Sequence, residues 1–408
     1  MPAPRPCYKW ELVILFWFAY FLNQGDRQIF NAVLPLIKAD LHVDDVQLGL
    51  VATGFTLIYG LLVPIAGCLG DFLSRKWIVV LSLLVFSTGT LLTGLAGGIV
   101  GLVLFRSLTT GGGEACYYPA ATALLGHHHP TTRAQALGIH QTALYVGIIV
   151  SSWLAAFIGE RYGWRASFYT FGALGLLLAV VLAWRMQNDR GVEVASEPAP
   201  KLREVLAIVL RTPTFYCLSL AFGCMVFVNA GWMTWMPTYL VERFHRPLQE
   251  ANLLAMLCHY AFAFLGVLGG SRLADQLAPR RAAIRIELKA LGLLLGAPFI
   301  ALLGLAPGAV LVYAALAAFG LFRGLYDSNL FAALFDVVPR RCRSSATGLM
   351  LFFGFTIGAL APVLLGFVKK HVSLSLGLSA LAAFYLAGAL LIFLARQKFF
   401  AKDYARVQ

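Results

Sequence analysis

Gly67-Cys68-Leu69-Gly70-Asp71-Phe72-Leu73-Ser74-Arg75-Lys76 is a short polar interruption between two apolar stretches. A second version of it, Ser271-Arg272-Leu273-Ala274-Asp275-Gln276-Leu277-Ala278-Pro279-Arg280-Arg281, recurs 204 residues later when Asp71 is matched to Asp275. Two more pairs follow in the same order: Leu104-Phe105-Arg106 with Leu321-Phe322-Arg323, and the run Arg133 to Gly138 with the run Arg343 to Gly348. Three ordered matches at nearly one offset read as the duplication of a single unit.

Outward from these loops, the chain resolves into apolar stretches long enough to cross a bilayer, which takes about 20 residues. Six lie at 12–37, 47–70, 77–97, 99–125, 134–158 and 164–185, and six at 214–241, 251–274, 284–305, 308–335, 346–368 and 372–395. The expected fold is an all-α membrane protein of twelve transmembrane helices in two six-helix pseudo-symmetric halves. The expected domains are residues 1–185, a cytoplasmic linker over 186–213 and residues 214–408.

Composition excludes the other classes. Of the 408 residues 60% are hydrophobic and 12% charged, about half the charge that a soluble surface needs. The net charge of +13 does not signal nucleic acid, because the basic residues sit in the gaps between apolar stretches. With a cytoplasmic N-terminus, 21 of the 32 lysines and arginines fall on the cytoplasmic side, 7 on the other, and Arg27, Arg106, Lys289 and Arg323 inside spans. That bias places both termini in the cytoplasm of a multi-pass inner (plasma) membrane protein. The seven cysteines form no CxxC pair, and His127-His128-His129 cannot all face one ion, so neither metal nor cofactor is expected. The N-terminus lacks the pattern of a cleaved signal. No GxxxxGK[ST] run and no Ser-His-Asp set is present, so neither ATP-driven transport nor an enzyme is expected.

The Gly-x-Leu-x-Asp-x-x-x-Arg-Lys loop, its weaker copy and the six-plus-six layout resemble the major facilitator superfamily over essentially the whole chain. Within it, Asn23-Gln24-Gly25-Asp26-Arg27, Gly113-Glu114-Ala115 with Pro119, and Trp235-Met236-Pro237-Thr238-Tyr239-Leu240 resemble the anion:cation symporter family. The stretch from Gly113 to Pro119, with the Asp-Arg pair, is also similar to bacterial spinster-like proteins. The first resemblance implies proton-coupled symport of a small organic anion such as a sugar acid by alternating access. The second implies a lysophospholipid or sphingoid-phosphate cargo. A drug/proton antiporter and a non-transporting membrane sensor are the remaining readings, and the short C-terminal tail disfavours the sensor. Parallel repeats of this kind place a substrate site near the bilayer midplane. Gly67, Asp71, Arg75, Lys76, Asp275 and Arg280 are expected to gate through the loops the resemblance identifies. The partners expected are the anion or lysolipid, protons and the bilayer, with the chain a monomer.

Ionisable groups inside spans are costly and face the bundle interior or a wet cavity. Asp26 and Arg27 point about 100° apart on a helix, so they do not pair with each other. Asp26 and Glu114 are expected to carry the coupling proton, and Arg27 to grip the anion through its planar fork. Arg106 lies eight residues before Glu114, whereas the family pattern has seven. Eight residues leave two side chains about 80° apart on an ideal helix, and seven about 20°. Either a π-bulge in Gly111–Gly113 absorbs the extra residue, or Arg106 has another role. Arg323 and Asp327, one turn apart, are read as an internal ion pair or a second anion clamp. Tyr59, Gln141, Tyr145, Asn229, Trp232, His259 and Tyr260 complete the expected substrate-binding set, with His259 the residue most able to sense pH. Lys289 is expected to snorkel toward the membrane surface.

Overall fold

A computed structural model describes residues 8–72, 74–129, 131–187, 208–209, 211–339 and 342–407. Most of the expected linker lies outside the described residues. The chain divides into two compact units, Met1–Glu193 with His245–Met256, and Val194–Phe244 with Leu257–Gln408. Ten helices among the described residues are long and apolar enough to cross a membrane. The first and fourth of the twelve expected spans are also helical and are the ones that carry Asp26, Arg27, Arg106 and Glu114.

In the first unit the helices are α1 (Tyr8–Ala32), α2 (Leu34–Leu41), α3 (Asp45–Phe72) and α4 (Arg75–Thr93), then π1 (Leu102–Thr110) running into α5 (Gly111–His128), α6 (Arg133–Tyr162) and α7 (Trp164–Arg185). The first span, expected as one helix over 12–37, breaks at Val33, because Pro35 has no N–H for the ladder. Gly163, at φ 85°, makes the tight turn between α6 and α7 that a side chain would strain. Leu12, Phe16, Phe86, Tyr117, Leu124 and Leu182 form the buried apolar core that holds α1, α4, α5 and α7 together.

The second unit contains α8 (Pro213–Phe244), the second part of α9 (Leu248–Leu277), α10 (Ile284–Leu305), α11 (Ala309–Asp327), α12 (Leu330–Phe335), α13 (Arg343–Gly358), α14 (Leu360–His371), α15 (Leu374–Lys398) and α16 (Phe400–Ala405). Two expected spans are again broken. The tenth stops at Asp327, where Ser328 Oγ donates to the Leu325 carbonyl and Asn329 Nδ2 to Ser328 Oγ, side-chain bonds that compete with the helical ladder. The eleventh pauses at Ala359, three residues before Pro362.

Candidate functional site

Two buried polar clusters stand out, one in each unit. In the first, α1 brings Arg27 and the fourth span brings Glu114 together: Arg27 Nε donates to Glu114 Oε2 at 2.6 Å. Glu114 is buried, while the Arg27 side chain keeps 21% of its surface. Arg106 is buried too, and its Nη2 donates to the Arg27 carbonyl at 3.1 Å. Both guanidinium groups stack on α3, Arg27 over the Tyr59 ring at 4.1 Å and Arg106 over the Phe55 ring at 4.1 Å. Such contacts hold a cation without neutralising it. Asp26 is buried behind them, facing Thr90 of α4 and within electrostatic reach of Arg106 and Glu114.

The reason Arg106 and Glu114 meet one partner is π1. Thr109 Oγ1 bonds the Leu104 carbonyl and Thr110 Oγ1 the Phe105 carbonyl, each five residues back. The wider turn takes up the additional residue. The bulge expected within Gly111–Gly113 thus lies just ahead of them, and the glycines serve packing. A Cβ at Gly113 would lie 2.7 Å from the Phe86 backbone nitrogen. Ser82 Oγ fixes the same crossing by donating to the Gly113 carbonyl at 2.6 Å.

The cluster is incompletely satisfied. Asp26 Oδ1, Glu114 Oε1, Arg106 Nε and Arg106 Nη1 are buried with no hydrogen-bond partner. Buried polar atoms in this state are uncommon and need a reason. Two unpaired guanidinium donors beside two unpaired carboxylate oxygens are the donor and acceptor set that an oxyanion and a proton would complete.

In the second unit Arg323 of α11 is the centre. Its Nη1 donates to Asn229 Oδ1 at 2.6 Å and to His259 Nε2 at 3.1 Å, and its Nε lies 3.3 Å from Asp327 Oδ2. Tyr260 Oη is 3.5 Å from the same Nη1 and donates to Met233 Sδ at 3.1 Å. Trp232 is fully buried and lies against the His259 ring, centroids 4.4 Å apart.

The other expected site residues fall elsewhere. Gln141 accepts from Tyr118 Oη at 3.3 Å. Lys76 is buried and donates to the Met186 carbonyl at 2.6 Å, joining the start of α4 to the end of the first unit's last span. Arg75 is half-buried and Asp275 and Arg280 are exposed, while Gly67 belongs to α3 and the Asp71 side chain lies outside the described residues. Lys289 does not snorkel. It is fully buried, with its ammonium over the Tyr326 ring at 4.7 Å and 3.4 Å from the Leu330 carbonyl at the start of α12. Phe55 and Thr90 are cluster residues that no motif pointed to, since in sequence they look like any other span residue.

The sequence profile described as Major Facilitator Superfamily matches residues 16–362. The hexuronate transporter of Bacillus subtilis (strain 168) is 26% identical over 400 residues, covering 93% of this chain and 92% of that protein. The cis,cis-muconate transport protein of Acinetobacter baylyi is 27% identical over 401 residues, covering 94% of each. A crystal structure of a bacterial homologue of the human lysosomal transporter spinster superposes with a TM-score of 0.85 at 22% identity, covering 98% of this chain and 99% of that one. The likeness to that structure establishes the fold.

Proposed function

We propose, for a chain that belongs to the Major Facilitator Superfamily and is a transporter rather than an enzyme, that it carries a small organic anion together with a proton by alternating access. The observation that carries this reading is the first cluster, in which Arg27 is tied to Glu114 while Asp26 and Arg106 keep unpaired buried atoms. With both carboxylates ionised, two arginines and two carboxylates balance. Protonating one leaves a single surplus positive charge, which attracts one anion. Burial favours the neutral acid and a contacting guanidinium favours the carboxylate, so Asp26, which lacks that contact, is assigned the proton. Arg27 and Arg106 are assigned the anion. Relatives named for hexuronate and muconate support a carboxylate cargo.

The same reading makes the chain a monomer of the inner membrane with cytoplasmic termini, gated at the Asp71 and Asp275 loops. Luminal pH in proteoliposomes tests it, with a panel of hexuronates, dicarboxylates and a lysophospholipid added outside. Acidification driven by a small carboxylate is expected. A response to the lysophospholipid alone would replace the cargo with a lipid.

A further inference from the structure

The Arg323–His259 contact fixes where the imidazole proton sits. A guanidinium only donates, so His259 Nε2, 3.1 Å from Arg323 Nη1, must present its lone pair. The ring proton is therefore on Nδ1, which lies beside the Leu316 carbonyl outside hydrogen-bond geometry. The ring is fully buried, against Trp232 at 4.4 Å and Phe319 at 4.5 Å. A second proton has one place to go, Nε2, and it would break the bond from Arg323 and set two cations against each other.

The surroundings supply little relief. Asp327 is the carboxylate of the cluster, on the same helix as Arg323 and beside its Nε. Tyr260 of His259's own helix and Tyr385 of α15 are phenols, α8 contributes the neutral Asn229 and Trp232, and Lys289 of α10 bears on Asp327 rather than on the imidazole. Asp327 offsets part of the Arg323 charge from the Nε side, while Nη1, the atom facing the imidazole, meets the neutral Asn229, His259 and Tyr260.

We propose that His259 is a second coupling residue, a proton acceptor that the guanidinium of Arg323 blocks until an anionic substrate group engages Arg323. The inference rests on the anion reading above. Engagement draws the Nη1 donor from Nε2 and compensates the guanidinium charge, and Nε2 then takes a proton from water while Arg323 keeps all of its own. Linkage makes this reciprocal: a protonated His259 strengthens anion binding by the same factor that the anion strengthens protonation. Positive linkage of this kind is what symport requires of a coupling group.

Selectively 15N-histidine-labelled protein tests this, with the His259 signals assigned by their loss in His259→Gln. Without anion, wild-type Nε2 is expected to keep the shift of an unprotonated ring nitrogen between about pH 5 and 8, while in Arg323→Gln, or Arg323→Met should the first not fold, it takes up a proton within that window. D-glucuronate is the probe anion, and its flux is recorded in parallel. Its addition to the wild type is expected to protonate Nε2. His259→Gln, which keeps an acceptor for Arg323, is expected to lose a rise in uptake of about fivefold or more between pH 8 and 6. Measurable D-glucuronate flux with no change at Nε2 would overturn the proposal and leave the anion reading standing. Absence of flux would count against that reading, and the Arg323 variants then decide: a His259 that titrates alike with and without the guanidinium overturns the proposal.

Discussion

Arg27 Nε and Glu114 Oε2 lie 2.6 Å apart across 87 residues of chain, and this one bond fixes the first span against the fourth at the depth where the other cluster residues gather. Removing one partner of a buried pair leaves the other uncompensated, which typically destabilises by about 3–5 kcal/mol. Arg27→Gln strands the fully buried Glu114, so its loss is expected at about 3 kcal/mol. Glu114→Gln strands a part-exposed arginine still seated on Tyr59, and a smaller loss of about 1–2 kcal/mol follows. Thermal unfolding in detergent of both single variants and the double should show the double less destabilised than the sum. Arg27→Lys is expected to fold yet transport poorly, because a lysine lacks the planar fork.

The π-turn makes a prediction of its own. Deleting Thr109 places Glu114 seven positions after Arg106, a spacing that an ordinary α-helix brings to about 20°. Transport is then expected to stay within about tenfold of wild type. An alanine inserted at the same place puts Glu114 nine positions after Arg106 and turns the two apart by about 180°, abolishing uptake. Equal damage from both changes would show that the wide turn itself, not the alignment, is what the site needs.

Neighbouring glycines should differ sharply. A methyl at Gly113 meets the Phe86 backbone at 2.7 Å, whereas one at Gly112 meets only Leu62 Cδ1 at 3.5 Å. Gly113→Ala is expected to lower stability by about 1–3 kcal/mol through overpacking. Gly112→Ala should be neutral or gain up to about 1 kcal/mol from helix propensity. Melting temperatures of the two variants side by side check this.

Twelve spans, the duplication and the ionisable residues of both clusters were legible in the sequence, because charges within apolar stretches and repeated loops are visible one residue at a time. What joins them was not. Arg27 could be expected to bind an anion, but its bond to Glu114 depends on how α1 crosses the fourth span. The placement of the π-turn depends on the Thr109 and Thr110 hydroxyls and on close packing against Gly89, where a Cβ would lie 2.7 Å from Thr110 Oγ1. Phe55 and Thr90 carry no signal at all, being ordinary span residues until a guanidinium and a carboxylate are placed against them. Lys289 misled because snorkelling is usual near a span end, and its contacts with the Tyr326 ring and the Leu330 carbonyl depend on how α10 packs against the tenth span, which no single residue announces.

Acid should test a clamp outside the spans. Asp40 accepts from Arg165 Nη1 and from Trp164 Nε1, the latter at 3.0 Å, and these bonds hold its carboxyl below the usual range. A lowered value means that its stabilising contribution is complete above the unfolded value of about 3.9 and is lost only as pH falls through the folded one. Asp40→Asn should therefore differ from wild type in melting temperature by a constant amount between pH 8 and 5. The two should converge only under stronger acid.

Asp26→Asn puts the central claim to the most direct test. The variant mimics the protonated cluster, with its surplus positive charge made permanent. In proteoliposomes loaded with labelled D-glucuronate, equilibrium exchange across the membrane is expected to persist. Accumulation driven by an inward proton gradient is expected to vanish. Gradient-driven accumulation equal to that of wild type would contradict the account, because coupling would then not require a proton on Asp26.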